Sequence, residues 1–204
     1  MSCAVIEWEN EGQALKGVVC ASKGTPPSAP LLVKAHGGPA GGVVASAISV
    51  ASDAHLLFAG FRIFSPAFRG STGFGDAFTA ANIDCQGHED LADILTGVRA
   101  LEHSGVVTEG VKCGIYGGSY GGYMSFAGLS RSNRFSAGIP QFGFIDNRQM
   151  SLITGDYTYE EEYFSSAEAM ALSDIELEQI TAPTLLMHGC VTHALSCRCC
   201  REMM

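Results

Sequence analysis

The sequence has no apolar run that approaches the roughly 18 residues needed to cross a membrane. Residues 1–8 contain no basic region followed by an apolar stretch, so no secretory signal is expected at this end. Positive charge is also scarce, because 12 Lys and Arg stand against 21 Asp and Glu and the net charge is −9. Because the chain is negatively charged, neither nucleic acid nor an anionic membrane surface is expected as a partner. A cytoplasmic location is the default prediction.

Motifs for bound cofactors are missing as well. The sequence has no Gly-Lys-Ser/Thr phosphate loop and no G-x-G-x-x-G fingerprint after the first strand of a βαβ unit. Four scattered cysteines are predicted to be reduced core residues, namely Cys3, Cys20, Cys85 and Cys113. The other four crowd the end without the usual C-x-x-C pairs, namely Cys190, Cys197, Cys199 and Cys200. A metal site formed by these with His188 and His193 is therefore only an alternative.

Short apolar runs alternate with helical patterns along the chain, whose 204 residues suit one domain. Because each run is continuously apolar and too short for a helix, it is predicted to be a strand buried on both faces. These runs are residues 31–35, 61–64, 111–116, 135–139 and 183–187. Helices are predicted at 43–57, at 89–103 and after Ser119, and a hairpin turning at Glu11-Gly12 precedes them. This order predicts a three-layer α/β fold with a mostly parallel sheet and helices on both faces.

The strongest chemical signal is the segment Gly117-Gly118-Ser119-Tyr120-Gly121-Gly122, between a predicted strand and a predicted helix. That context is the one a nucleophile elbow requires, with the serine on a sharp turn above the sheet. Gly117 and Gly121 stand two residues before and after Ser119, where a side chain would collide with neighbouring backbone. The sequence therefore predicts Ser119 as a catalytic nucleophile.

A second glycine-rich loop, His36-Gly37-Gly38-Pro39, directly follows the apolar run at 31–35. In α/β-hydrolases a loop at this place supplies one oxyanion-hole amide, and the residue after the nucleophile supplies the other. Gly38 and Tyr120 are the candidates for these two donors. His36 is interpreted as a structural residue of the loop and not as the catalytic base.

These two motifs and the loop Arg69-Gly70-Ser71-Thr72-Gly73 occur in one order and at plausible spacing. Together they resemble the prolyl oligopeptidase family of serine peptidases, most of all its acylaminoacyl-peptidase and dipeptidyl-peptidase branch. The resemblance implies an α/β-hydrolase fold, an acyl-enzyme at Ser119, short peptides as substrates and no metal or organic cofactor. It defines no oligomeric state.

The sequence departs from this family after Gly189. Thr192 occupies the position where the resemblance places the catalytic Asp, and a threonine cannot orient a histidine as an anion does. The family's last strand and helix, with the catalytic His, are expected to be missing. We therefore divide the chain into a hydrolase domain, residues 1–189, and an atypical Cys-rich tail, residues 190–204. His193 is an alternative base, although it lies in the neighbourhood expected for the acid.

Three functions remain open from the sequence. The first is a serine peptidase whose turnover in this chain is weak or absent, because the triad Asp and His are missing. The second is a carboxylesterase of the same fold. The third is a non-catalytic binding protein or a truncated product.

Overall fold

The computed structural model describes residues 1–43, 53–146, 158–166 and 175–189. Its centre is a six-stranded sheet with the order β1-β2-β4-β3-β5-β6. The strands are β1 (Ser2–Asn10), β2 (Gln13–Ala21), β3 (Leu31–Ala35), β4 (Arg62–Ala67), β5 (Cys113–Gly118) and β6 (Ala137–Gln141). Neighbours are parallel from β4 through β3 and β5 to β6, and antiparallel at β1–β2 and β2–β4. The mostly parallel sheet predicted from the apolar runs is confirmed.

Five helices accompany the sheet in the described residues: α1 (Ala54–Phe58), α2 (Asp76–Thr79), α3 (Glu89–His103), α4 (Tyr120–Arg131) and α5 (Thr158–Tyr163). Short 3₁₀ turns lie at Ala80–Asn82 and Leu177–Gln179. The predicted helix at 89–103 has the bounds of α3, and the helix predicted after Ser119 is α4. The helix predicted at 43–57 lies largely outside the described residues, which show only α1 at its end.

Neighbouring residues of β4 show how the sheet is covered on both faces. Phe64 is fully buried in the main core, which α3 and α4 supply with Ile94, Val98, Met124 and Phe126 among others. Ile63 points the other way, into a smaller cluster with Leu57 of α1 and Cys20 of β2. Because successive strand residues point to opposite faces, one apolar run feeds both cores. Helices on both faces are therefore confirmed.

The hairpin β1–β2 corrects the prediction for two cysteines. Its turn has positive φ at Glu11 (50°) and Gly12 (77°), and its register places Cys3 opposite Cys20. These two cysteines form a disulfide, with their Cα atoms 4.1 Å apart, so the prediction that they are reduced was wrong. The reason is register, which the one-dimensional pattern does not reveal. Cys85 and Cys113 are free, and Cys113 is buried as predicted.

The carboxyl ends of the parallel strands meet at one edge of the sheet. Ala35, the last residue of β3, pairs with Gly117 of β5, and Gly118 pairs with Gln141, the last residue of β6. Residues 183–187 continue this order, because Thr184 and Met187 form parallel bridges to Gly138 and Gln141. In α/β folds, ligands bind at such an edge. No helix in the described residues has the length and apolar character needed to span a membrane.

Candidate functional site

Ser119 occupies the turn between β5 and α4. Its side chain is exposed and its backbone has a φ of 57°, a conformation that is uncommon for a residue other than glycine. The turn is fixed by the Ser119 amide, which donates to the Gln141 carbonyl over 3.0 Å. The Ser119 carbonyl accepts from the amide of Gly122 at 2.8 Å, which starts the helix. A strained serine is thus held at the N-terminus of α4, where the helix dipole favours negative charge.

The two glycines of the elbow lie where backbone segments touch. A Cβ on Gly121 or on Gly117 would lie less than 3.0 Å from the carbonyl oxygen of Ala35, the last residue of β3. The same atom on Gly117 would also meet the Gly121 backbone at 2.9 Å. The two glycines therefore allow β3, β5 and α4 to converge behind Ser119.

The loop after β3 approaches the nucleophile directly. A Cβ on Gly37 would lie 3.6 Å from the Ser119 Cβ, which shows how close the loop backbone runs to the serine. Gly38 follows in an exposed position with a φ of 139°, and its peptide bond to Pro39 is cis. A side chain at Gly38 would collide with the amide nitrogens of Ala40 and Gly41, at 2.6 and 2.5 Å. The backbone of this loop therefore lies next to the residue before the nucleophile and to the nucleophile itself, and Gly38 stays a predicted oxyanion donor.

His36 is held within its own loop. Its ring stacks on Phe68, with centroids 4.2 Å apart, and its Nε2 lies 2.7 Å from the Ser71 hydroxyl. Its Nδ1 lies 2.8 Å from the Gly37 carbonyl, to which a protonated Nδ1 donates. Burial lowers the pKa of His36, so the neutral ring is favoured. These contacts agree with the interpretation of His36 as a structural residue.

Tyr120 joins the elbow to a buried acid that sequence reasoning missed. Its phenol is fully buried and donates to Asp90 Oδ2, while Asp90 Oδ1 accepts from the Leu91 amide at 2.8 Å. Desolvation is the largest influence on Asp90 and raises its pKa to about 7, against the hydrogen bond from Tyr120. The sequence shows Asp90 only as an acid in the first turn of α3, so its link to Tyr120 has no signal in the pattern.

Arg69 lies behind this edge of the sheet and is almost completely buried. Its Nε and one terminal nitrogen each donate to Asp93 over 2.8 Å, and its backbone amide donates to the same carboxylate over 2.9 Å. Asp93 also accepts from the Asn10 side chain at 2.7 Å, and Glu89 forms a further ion pair with Arg69. The glycine-rich loop is thus tied to α3 and to the N-terminal hairpin, and Arg69 acts as a structural anchor.

The described residues bring no acid–base pair to the serine. In the part of the chain that the structure describes, no histidine or carboxylate hydrogen bonds to the Ser119 hydroxyl. Thr192, His193 and the four terminal cysteines lie outside that part. His188 is within it, and its Nδ1 lies 3.2 Å from the Gly189 carbonyl. No group of three or more His, Cys, Asp or Glu that could hold a metal ion occurs among residues 1–43, 53–146, 158–166 and 175–189.

Comparison of the sequence with known proteins finds one matching family and several individual relatives. The sequence profile of the prolyl oligopeptidase family matches residues 46–191. Dipeptidyl aminopeptidase BIII of Pseudoxanthomonas mexicana is 36% identical over 126 residues, which cover 56% of this chain and 16% of that enzyme. The acylamino-acid-releasing enzyme of Mus musculus is 25% identical over 178 residues, which cover 78% of this chain and 24% of that enzyme.

The fold has close counterparts among solved structures. Acylaminoacyl peptidase of Pyrococcus horikoshii superposes with a TM-score of 0.83 over 95% of this chain, at 24% identity. The matched part is 32% of that enzyme, and the chain spans between 16% and 25% of the curated relatives. At this identity the superposition shows the α/β-hydrolase fold alone. The relationship to the family rests on the sequence matches.

Proposed function

This chain belongs to the prolyl oligopeptidase family, and we propose that it carries the serine nucleophile of a peptidase that forms an acyl-enzyme with short peptides. The Ser119 Oγ attacks the carbonyl carbon of the scissile bond while its proton passes to a base, which in the family is the catalytic His and for which no described residue is hydrogen-bonded to the Ser119 hydroxyl. The carbonyl oxygen becomes an oxyanion, which the amides of Gly38 and Tyr120 stabilise. The C–N bond then breaks, the amine leaves with a proton, and water hydrolyses the ester on Ser119.

The observation that carries this proposal is the exposed Ser119 at a φ of 57° on the N-terminus of α4. Strain of this kind persists where the surrounding structure fixes it. At Ser119 the strained turn leaves the hydroxyl accessible, next to the loop that follows β3. Each oxyanion donor of this type is worth about 3–4 kcal/mol of transition-state stabilisation. Short peptides are favoured as substrates by the names of the relatives, which describe dipeptidyl and acylamino-acid release.

We further propose that this chain alone turns over substrate weakly or not at all. The support is Thr192, which stands where the resemblance places the acid. We keep residues 1–189 as the hydrolase domain and 190–204 as the atypical tail. A cytoplasmic location stays a prediction, and the Cys3–Cys20 disulfide does not favour it, since such bonds are rare in the cytosol of mesophiles.

The alternatives differ in the bond that is cleaved. A carboxylesterase would use the same elbow on a carboxylic ester, and the motifs that surround Ser119 suit both reactions. A binding protein would keep the scaffold without either reaction.

Hydrolysis of a matched pair of substrates tests these functions. We expect the folded chain to accelerate hydrolysis of acetyl-alanine p-nitroanilide by at most roughly 10³–10⁴-fold over the uncatalysed reaction, because only the oxyanion site and binding contribute. The p-nitrophenyl ester of the same acyl group should be accelerated to a similar degree. Release of p-nitroaniline and p-nitrophenol is followed by absorbance, with the heat-unfolded chain as control.

Each departure from this result has a defined meaning. Acceleration far above 10⁴-fold on the anilide would overturn the proposal of weak turnover. Acceleration of the ester alone would favour the carboxylesterase. No acceleration of either substrate, together with a binding partner that is retained by Ser119→Ala, would favour the binding protein.

A further inference from the structure

Asp90 is a buried acid that the proposed chemistry does not use. It is the second residue of α3, its side chain is fully buried, and its Oδ2 accepts a hydrogen bond from the Tyr120 phenol. Its Oδ1 accepts from the Leu91 amide at 2.8 Å, which ties the carboxyl group to its own helix. Desolvation raises the pKa of Asp90 to about 7, so burial of its charge is unfavourable. Stability alone does not account for the Asp90–Tyr120 pair, because two apolar side chains of the same shape can be as stable.

Tyr120 connects this acid to the nucleophile turn. It directly follows Ser119 and is the first residue of α4, so its amide belongs to the first turn of that helix. The proposed function makes this amide one of the two oxyanion donors. The side chain of the same residue is fully buried among apolar groups, and apolar contact alone has no preferred direction. The hydrogen bond to Asp90 supplies that direction and fixes the orientation of the ring.

The Tyr120 ring also supports the loop that carries the other proposed donor. Its centroid lies 6.3 Å from that of Phe68, which is fully buried. Phe68 in turn stacks on His36, with 4.2 Å between the ring centroids and 8° between the ring planes. His36 directly follows β3, two residues before Gly38, and its Nδ1 lies 2.8 Å from the Gly37 carbonyl. Tyr120, Phe68 and His36 therefore form an aromatic column that runs from the nucleophile turn to the oxyanion loop.

We infer that Asp90 is a positioning residue, which orients the Tyr120 ring and, through the aromatic column, sets the spacing of the Tyr120 and Gly38 amides. This inference rests on the proposed function, since it takes these two amides to be the oxyanion donors. Buried side chains are close-packed, so a displacement of one ring is passed to the next. Small displacements matter, because each donor has to lie about 2.7–3.1 Å from the oxyanion. Asp90 itself acts only through Tyr120.

The rate at which a fluorophosphonate reacts with Ser119 in the full chain tests the positioning role. Tyr120→Phe removes only the phenol oxygen, and we expect it to lower the maximal rate by about 3–10-fold, a part of the roughly 10²–10³-fold that loss of a whole donor costs. The half-saturating probe concentration should change by less than about 2-fold, because the donors act on the transition state. Asp90→Ala should show the same loss of rate. Asp90→Asn keeps an oxygen acceptor for the phenol and should restore the rate to within about 2-fold.

Two comparisons separate positioning from a general loss of structure. The double variant Asp90→Ala with Tyr120→Phe should lose no more rate than either single variant, because the two groups act as one unit. Asp76→Asn changes an exposed acid in α2 and should leave the rate unchanged. Unchanged maximal rates in both single variants, additive losses in the double variant, or equal losses in Asp90→Ala and Asp90→Asn would each overturn the inference.

Chemical shifts of backbone amides test the aromatic column without any reaction of Ser119. Tyr120→Phe keeps the ring and its ring current, so a changed shift of the Gly38 amide reports a displacement of the loop. We expect the amides of residue 120 and Gly38 to shift together in ¹H–¹⁵N spectra, whereas Asp76→Asn should shift neither. A Gly38 amide that keeps its shift in Tyr120→Phe would overturn the inference even where Ser119 reacts. An unreactive Ser119 in the unsubstituted chain would instead overturn the proposed function, and with it the catalytic role of the column.

Discussion

Replacing Gly121 by alanine is expected to destabilise the chain by more than about 3 kcal/mol, a large part of the 5–15 kcal/mol that a domain has. The added Cβ would lie less than 3.0 Å from the Ala35 carbonyl oxygen and 3.0 Å from the His36 carbonyl oxygen. Both contacts are backbone atoms of β3 and the loop after it, so no side-chain rotation relieves them. Urea unfolding followed by circular dichroism measures the change in the free energy of unfolding.

The matched control for this substitution is Gly42→Ala, in the loop after β3 that the Gly121 Cβ would meet. Gly42 is exposed, and the nearest atom to an added Cβ is the Thr72 side-chain oxygen at 3.2 Å, which can move by rotation. We expect a change below about 1 kcal/mol there. If Gly121→Ala and Gly42→Ala have the same free energy of unfolding, the convergence of β3, β5 and α4 at the elbow is incorrect.

Arg69→Ala is expected to cost about 3–5 kcal/mol, because it leaves the buried Asp93 carboxylate without its main partner. Asp93 is fully buried, and three of the hydrogen bonds that it accepts come from Arg69. Only the backbone one of these survives the substitution. Since Asp93 also holds Asn10, the N-terminal hairpin should loosen at the same time. Urea unfolding gives the cost, and amide hydrogen exchange in β1 reports the loosening.

A surface ion pair on the same hairpin provides the comparison. The Lys16 Nζ lies 2.7 Å from the Glu7 Oε1, and the two side chains are 51% and 66% exposed. Because solvent screens such a pair, Lys16→Ala should change the free energy of unfolding by less than about 1 kcal/mol. A similar small change for Arg69→Ala would mean that the loop is not anchored through Asp93.

The sequence predicted the parts of the fold that depend on local pattern. Continuous apolar runs located β3 and, within a few residues, β4, β5 and β6, and the spacing of apolar residues gave α3 its bounds. The pairing of the strands could not be predicted from that local pattern. The disulfide between Cys3 and Cys20 depends on the register of two strands, and a single residue of slip would separate the cysteines.

In the candidate site, too, only the features that depend on local sequence could be predicted. Ser119 and its flanking glycines are close in sequence, and their spacing reflects a local steric need, so the motif could be recognised. Asp90 and Gln141 reach the elbow from α3 and from the end of β6, at 29 and 22 residues from Ser119. Only the packing of the sheet brings them there, and each is an ordinary residue in its own segment.

The most direct test of the central claim is to find where a fluorophosphonate reacts with the folded chain, by mass spectrometry of its peptides. We predict a phosphonyl adduct at Ser119 that forms ahead of any adduct at exposed loop serines such as Ser28, and that is lost in Ser119→Ala while Ser28→Ala keeps it. The reason is that the elbow exposes the hydroxyl beside amides that stabilise the oxyanion. A folded chain in which Ser119 reacts no faster than Ser28 would contradict the assignment of Ser119 as the nucleophile.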